Sequence, residues 1–182
     1  MKLVIPKFPD LLQFTIDKLW SGEVCNDERV KADVTLSLKK GGLFIRVEAP
    51  VLHNQSIPND PMGSRVEKLW TFDVVEIFLV GPGHQYLEIE IGAGGHYLIL
   101  GFDSVRNKSN DYLYFHPVIH FYKTNEKTWV SETEIPWSII PENLRAMNAF
   151  MIAVGQFLAL SPLPGEVPDF HQPDHFPPLF ID

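Results

Sequence analysis

Paired cysteines and long hydrophobic runs are both missing from this sequence of 182 residues. Its one cysteine, Cys25, excludes an internal disulfide, and no apolar run approaches the roughly 20 residues needed to cross a bilayer. The start, MKLVIPKFPD, has prolines where a signal peptide would be apolar, so we interpret it as non-secreted sequence. These features together predict a cytoplasmic protein with no membrane partner.

Positive charge is also scarce, since 15 Lys and Arg stand against 23 Asp and Glu, giving a formal net charge of −8. Affinity for a phosphate backbone depends on clustered Lys and Arg, so the composition predicts no nucleic-acid partner. The chain has no G-x-S-x-G motif and no phosphate-binding loop. The GAGG at 92–95 is followed by no helical pattern and indicates a hairpin turn, so no cofactor is expected.

Helical periodicity is almost absent, and strand-like alternation dominates instead. The predicted strands cover residues 35–38, 43–48, 74–80, 86–91, 96–100, 114–121, 128–135 and 149–157. Short strands with Gly and Pro turns between them predict an all-β fold, namely an antiparallel β-sandwich of the jelly-roll or immunoglobulin-like kind. We expect one domain over 1–182, with a long loop at 52–68 and a proline-rich wrap at 161–182.

Two neighbouring predicted strands place carboxylates on one sheet face. If the turn at 81–83 pairs them symmetrically, Glu76 faces Glu88 and Val74 faces Glu90. Facing carboxylates repel each other and need solvent, a shared proton or a nearby cation. The pattern is compatible with a half-solvated surface, a binding face or a catalytic pair. The opposite face of the first strand, expected to fill the core, carries Val75, Ile77 and Leu79.

The segment LWTFDVVEIFLV at 69–80 resembles the family 9 carbohydrate-binding modules and the wider DOMON-like group of β-sandwiches. The residues that match are Trp70, Asp73, Val75, Glu76, Ile77 and Phe78. WVSETEIPW at 129–137, FMIAV at 150–154 and DFHQPDHF at 169–176 follow in the family's order. The chain is similar, more closely, to an uncharacterised animal protein family that shares LW-x-x-x-VVE, YLE-x-E before GHYL, and PDFH.

In the carbohydrate-binding family a sugar lies between two aromatic rings, and polar neighbours fix its hydroxyls. The resemblance implies that Trp70 and Phe170 are these rings and that Glu76 is a polar neighbour. We expect Glu88 and Glu90, on the same face, to supply further polar contacts.

Two departures from the family pattern affect the polar contacts. Glu88 stands where the sugar binders typically have a basic residue, and Ala153 stands where an amide side chain reaches the sugar. The known sugar preference of the family is therefore not transferred to this chain.

These observations predict a non-catalytic binding domain for a saccharide or another polyhydroxylated small molecule, or for a cationic group that suits the carboxylates. One alternative is an enzyme, either a glycoside hydrolase using Glu76 and Glu88 or a metal-dependent enzyme. The candidate metal ligands are His171, Asp174 and His175. A second alternative is an intracellular scaffold without a small ligand, which predicts that Trp70 is buried in the core.

Overall fold

The computed structural model describes residues 2–182, and the regular structure in that range is almost entirely β-strand. The strands are β1 Leu3–Ile5, β2 Leu12–Ile16, β3 Lys18–Leu19, β4 Ala32–Leu38, β5 Gly42–Pro50, β6 Val74–Val80, β7 Tyr86–Gly92, β8 Tyr97–Ser104, β9 Asn107–Asn110, β10 His120–Thr124, β11 Thr128–Pro136, β12 Ala146–Ala153, β13 Gln156–Ala159 and β14 Leu179–Ile181. Single 3₁₀ turns cover Leu69–Thr71, Pro82–His84 and Pro173–His175. Within residues 2–182, no helix has the length and apolar character needed to span a membrane.

Two antiparallel sheets form the body of the molecule. One has seven strands in the order β3-β13-β12-β6-β7-β8-β9, and the other has five in the order β10-β11-β5-β4-β2. A separate parallel pair joins β1 to β14. The predicted antiparallel β-sandwich is therefore confirmed.

The main core lies between the two sheets and is built from alternate residues of each strand. Val75, Ile77 and Leu79 of β6 belong to it, as the alternation predicted. Branched side chains at these positions pack well on a pleated surface, which favours the extended conformation locally. Because side chains alternate along a strand, the even-numbered residues of β6 lie on the opposite face of the seven-stranded sheet.

That opposite face carries a second, smaller apolar cluster. Phe78 of β6, Tyr86 of β7 and Phe150 of β12 belong to it, together with Phe170 and Phe176 from the irregular segment after β13. Every residue of β6 and of β7 is consequently buried. Burial on both faces explains why the sequence of β6 is almost continuously hydrophobic.

Two predicted strands differ from the structure. The strand expected at 114–121 begins only at His120, because Pro117 cannot donate a ladder hydrogen bond. The strand expected at 149–157 is interrupted by a turn in which Val154 and Gly155 both have positive φ, and it forms β12 and β13.

The predicted register between β6 and β7 is wrong by two residues. The connection spans 81–85, not 81–83, and the backbone N–H of Gly81 donates to the carbonyl of Gln85 at 2.9 Å. Glu76 therefore faces Glu90, while Glu88 faces Phe78. Because the shift is even, each side chain stays on its predicted face.

Candidate functional site

Three glutamates form an acidic patch within the outer face of the seven-stranded sheet. Glu76 and Glu88 are each 2% exposed, and Glu90 is fully buried. Glu76 lies directly across from Glu90, a position at which Cβ atoms are about 5 Å apart. Glu88 is two residues from Glu90 on the same strand, about 7 Å along it. The patch is thus buried rather than half solvated.

Burial changes the protonation of all three carboxyl groups. Removal from water raises the pKa of Glu88 to about 8, against the opposing effect of the Arg106 charge. Burial, and then the neighbouring glutamates, raise the pKa of Glu76 and of Glu90 well above the ordinary value. The backbone N–H of Trp70 opposes this effect at Glu90, but neither oxygen of Glu90 has a hydrogen bond of good geometry. At neutral pH the patch therefore holds protons.

Trp70 is placed by the short turn that precedes β6. Lys68 adopts a left-handed conformation, and the backbone N–H of Thr71 then donates to its carbonyl at 3.0 Å. Leu69 is fully buried in the outer-face cluster and anchors the turn, whereas the next side chain, Trp70, is 40% exposed. The turn thus presents the indole at the surface beside the glutamates.

Phe170 reaches the same region from the C-terminal segment. Its ring stacks on Phe150 with centroids 4.1 Å apart and an interplanar angle of 8°. Phe157 meets it at an edge, with centroids 6.2 Å apart, and the residue is 8% exposed. One ring face of Phe170 is therefore already occupied, and only the remainder is open to a ligand.

A polar network closes the side opposite Trp70. The Arg106 guanidinium donates to Oδ1 of Asp169 at 2.8 Å, and the same oxygen accepts the backbone N–H of His171 at 3.0 Å. The Arg106 backbone N–H donates to the Tyr86 hydroxyl, which lies 2.7 Å from Nδ1 of His171.

The Tyr86 hydroxyl sets the tautomer of the neighbouring imidazole. Because this oxygen accepts from Arg106, its own proton is free to be donated to Nδ1 of His171, which leaves the ring proton on Nε2. Burial, with the Arg106 charge, lowers the pKa of His171 to about 4, so the ring is neutral at neutral pH. His171 therefore contributes a fixed, uncharged polar group to its surroundings.

These groups enclose a cavity of about 450 Å³. Its lining combines aromatic, aliphatic, acidic and basic side chains, as small-molecule sites do. The lining residues are Glu67, Trp70, Glu76, Glu88, Leu100, Phe102, Arg106, Lys108, Ile152, Phe157, Pro168, Asp169, Phe170 and His171.

The structure brings four of the five expected ligand-binding residues together. Trp70, Glu76, Glu88 and Phe170 line the cavity. Glu90 is not part of its wall, since the side chain is fully buried across from Glu76. Glu90 can influence a ligand only through its neighbours.

The expectation for Ala153 is wrong. Ala153 belongs to the core between the sheets, so its side chain lies on the other side of β12 from the cavity. Ile152 of the same strand lines the cavity instead. The register also changes the residue to which the other departure from the family pattern applies. The acidic residue directly across from Glu76 is Glu90 rather than Glu88.

The expected metal ligands do not assemble into a metal site. Within residues 2–182, no group of three or more His, Cys, Asp or Glu side chains is arranged to hold a metal ion. His171 is bound to Tyr86, while Asp174 lies 3.0 Å from His84. His175 lies in the 3₁₀ turn that follows.

Arg106, Lys108 and Tyr86 are cavity or network residues that the sequence interpretation missed. Arg106 lies at the β8–β9 turn with a φ of 57°, and Lys108 lies in β9. The predicted strand at 96–100 stopped short of this hairpin. The polar run from Asp103 to Asn107 was a turn signal that could have revealed it.

No model of a protein family matches the chain. Two curated relatives match almost all of it. The UPF0462 protein C4orf33 homolog of Mus musculus is 31% identical over 179 residues, which cover 92% of this chain and 91% of the mouse protein. The homolog of Danio rerio is 30% identical over 176 residues, covering 91% of this chain and 87% of the zebrafish protein.

Two solved structures share the fold. A Bacteroides uniformis protein described as a candidate carbohydrate-binding protein has a TM-score of 0.74 at 15% identity, covering 100% of this chain and 99% of that one. A family 9 carbohydrate-binding module from Caldicellulosiruptor kristjanssonii, in complex with cellotriose, has a TM-score of 0.62 at 13% identity. That match covers 100% of this chain and 93% of the module. At these identities the likeness establishes the fold alone.

Proposed function

The chain belongs to the UPF0462 family, and from its fold and its cavity we propose that it is a non-catalytic binding protein for a saccharide or another polyhydroxylated small molecule. Residues 1–182 would act as one binding domain, with 161–182 forming part of the site. The carbohydrate-binding character of the two structural neighbours supports this proposal.

The observation that carries the proposal is the pairing of an exposed indole with buried carboxyl groups around one cavity. Trp70 offers a flat apolar surface of the kind that stacks on the C–H face of a sugar ring. Glu76 and Glu88 line the same cavity and, when protonated, can both donate and accept hydrogen bonds. Sugar hydroxyls need both capacities from their site.

The protonation of the acidic patch favours binding over glycoside hydrolysis. Hydrolysis by two carboxyl groups requires one ionised and one protonated group at the working pH. Burial raises the pKa of Glu76 and the pKa of Glu88 together, so neither is held as the ionised nucleophile or base.

The scaffold alternative is weakened by the position of Trp70. That alternative predicted a tryptophan buried in the core, whereas the indole is 40% exposed and lines a cavity.

Isothermal titration against neutral and amino-substituted β-1,4-linked trisaccharides tests the proposal. We expect at least one of them to bind the wild-type protein with a dissociation constant in the range of about 1 µM to 1 mM, and we expect Trp70→Ala to abolish that signal. The proposal fails if no trisaccharide binds, or if Trp70→Ala binds as well as the wild type.

Trp137→Ala is the matched control for this experiment. Trp137 is 38% exposed, almost as exposed as Trp70, but it lies outside the cavity and donates its indole N–H to the carbonyl of Lys39. Binding should survive in Trp137→Ala. Circular dichroism of both variants separates a lost ring from a lost fold.

A further inference from the structure

The acidic patch has more hydrogen-bonding capacity than the chain itself uses. Within residues 2–182, the buried Oε2 of Glu88 has no hydrogen-bond partner, and the two buried carboxyl oxygens of Glu90 have none of good geometry, although the Trp70 backbone N–H lies close enough to Glu90 to lower its pKa. Nearly all buried polar atoms in folded proteins are paired, so each exception needs an explanation. Three such atoms on neighbouring residues, one of them in the wall of a cavity, point to a partner outside the chain.

The basic residues of the cavity do not supply that partner. The Arg106 guanidinium is bound to Asp169 at 2.8 Å, and the ammonium of Lys108 lies 4.0 Å from Asp111. Glu67 also lines the cavity, but its carboxylate is paired with Arg65. The charged side chains around the cavity therefore pair with one another and leave the hydrogen-bonding capacity of the acidic patch to another group.

On the premise that the cavity binds a saccharide, we infer that its ligand is an amino sugar whose ammonium group lies against Glu76 and Glu88, with Glu90 behind them. An ammonium carries three N–H donors and no acceptor, whereas a sugar hydroxyl carries one donor. Hydrogen bonds between an ammonium and a carboxylate are roughly twice as strong as those between neutral groups. The unpartnered oxygens thus suit an ammonium better than a hydroxyl.

The register of the sheet places the three carboxyl groups next to each other on one face. Glu76 and Glu90 are directly opposite on adjacent strands, and Glu88 is the next residue on the same face of β7, diagonal to Glu76. Diagonal neighbours at about 7–8 Å are still within reach of long side chains. An ammonium seated there would be surrounded by carboxyl groups while the sugar ring extends toward Trp70.

Binding an ammonium would also change the protonation of the patch. A positive charge within about 4–6 Å favours the ionised form of a carboxyl group and so lowers its pKa. Carboxyl groups that hold protons in the free protein would release them when the amino sugar enters. A neutral sugar carries no such charge and would release few or none.

Three ligands distinguish an amino sugar from a neutral sugar and from an amine without a sugar ring. We would titrate the β-1,4-linked glucosamine trimer, its neutral analogue cellotriose, and spermidine, which has ammonium groups but no sugar ring, at pH 7. The glucosamine trimer should bind about tenfold or more tightly than either of the others. Its binding heat should also depend on the ionisation enthalpy of the buffer, because protons are released.

Glu88→Gln keeps the shape of the side chain and removes its ionisable group. We expect this variant to reduce the preference for the glucosamine trimer over cellotriose to within about threefold. Glu90→Gln should reduce it in the same direction. The control is Glu132→Gln on the five-stranded sheet, where the carboxylate pairs with Arg46 at 3.5 Å, and it should change neither affinity.

The possible failures are distinct. If cellotriose binds as tightly as the glucosamine trimer, or if Glu88→Gln and Glu90→Gln both keep the full preference, the amino-sugar inference is overturned while saccharide binding stands. If neither trisaccharide binds, the proposed function fails as well. If spermidine binds as tightly as the glucosamine trimer, the ligand is an amine rather than an amino sugar.

Discussion

Glu88 is a buried carboxyl group whose protonation links the cavity to the stability of the fold. Its pKa is about 8 in the folded protein and near 4.5 when the chain is unfolded. The folded state therefore holds a proton that the unfolded state has lost between these two values, and stability decreases as the pH rises through them.

We predict that the free energy of unfolding falls by about 1 kcal/mol or more per pH unit between pH 6.5 and 8. Urea denaturation in buffers across this range measures the slope. Glu88→Gln should make the slope shallower, because the substituted side chain cannot ionise, while Glu76 and Glu90 keep their raised pKa values and their own contributions. Stability that is constant or rises over the interval would contradict the burial of the patch.

His171 gives the opposite slope at lower pH. Its pKa is about 4 in the folded protein and about 6.5 when unfolded, so its contribution is present above 6.5 and is lost as the pH falls toward 4. For this reason the Glu88 effect is measured best toward pH 8, because above pH 6.5 the imidazole of His171 loses its proton in the unfolded state as well.

The identity of these residues was predictable from the sequence, but their surroundings were not. Alternation in β6 and β7 correctly assigned Glu76, Glu88 and Glu90 to one face. Which glutamate faces which depended on the turn, and Gly81-Pro82-Gly83 looks complete although His84, with a φ of 66°, and Gln85 also belong to it. Burial of the patch depends on a segment more than 70 residues away along the chain.

At the level of elements, the side-chain amide of Asn148 in β12 binds the start of the C-terminal segment. Asn148 donates from Nδ2 to the carbonyl of Ser161 at 2.9 Å and accepts the N–H of the same residue on Oδ1 at 3.0 Å. Oδ1 also accepts the N–H of Ala149. The segment that covers the outer face thus begins from a fixed point in the sheet.

We predict that Asn148→Ala destabilises the protein by about 1–3 kcal/mol, because it leaves the partly buried backbone groups of Ser161 without partners. Chemical denaturation measures this loss, and limited proteolysis should show earlier cleavage after residue 160. Asn26→Ala, at an exposed position, is the control and should change stability by less than about 0.5 kcal/mol. Equal stability of Asn148→Ala and the wild type would show that the other contacts of the segment hold it without this amide.

Strands near the centres of the sheets could be predicted from the sequence, whereas the short strands at the edges could not. The hairpin of β4 and β5 and the strands β6, β7 and β11 follow clear alternation, because each has a fully buried face. β1, β3 and β14 have only two or three residues each, and their pairing is decided by tertiary contacts. The Arg106 side of the cavity was missed for a related reason, since β9 is wholly exposed and carries no hydrophobic pattern.

The whole molecule has two apolar clusters, and the seven-stranded sheet lies between them. β6 and β7 are buried on both faces, while β9 and β10 are exposed strands at sheet edges. Opening of the central strands therefore requires loss of both clusters, whereas an edge strand can open locally.

We predict that the backbone amides of β6 and β7 exchange with solvent only through global unfolding, and that those of β9 and β10 exchange orders of magnitude faster. Hydrogen–deuterium exchange followed by mass spectrometry measures both. Exchange of β6 as fast as that of β9 would mean that the outer cluster does not contribute to cooperative unfolding.

The short turn that places Trp70 also makes its intrinsic fluorescence sensitive to the contents of the cavity. The chain has four tryptophans, and Trp129 is fully buried in the core between the sheets, where its emission is insensitive to the solvent. The indole of Trp70 stands in the cavity wall, partly in water, so its emission depends on whatever displaces that water. Occupancy of the cavity can consequently be followed by intrinsic fluorescence, without a label and without any knowledge of the ligand in advance.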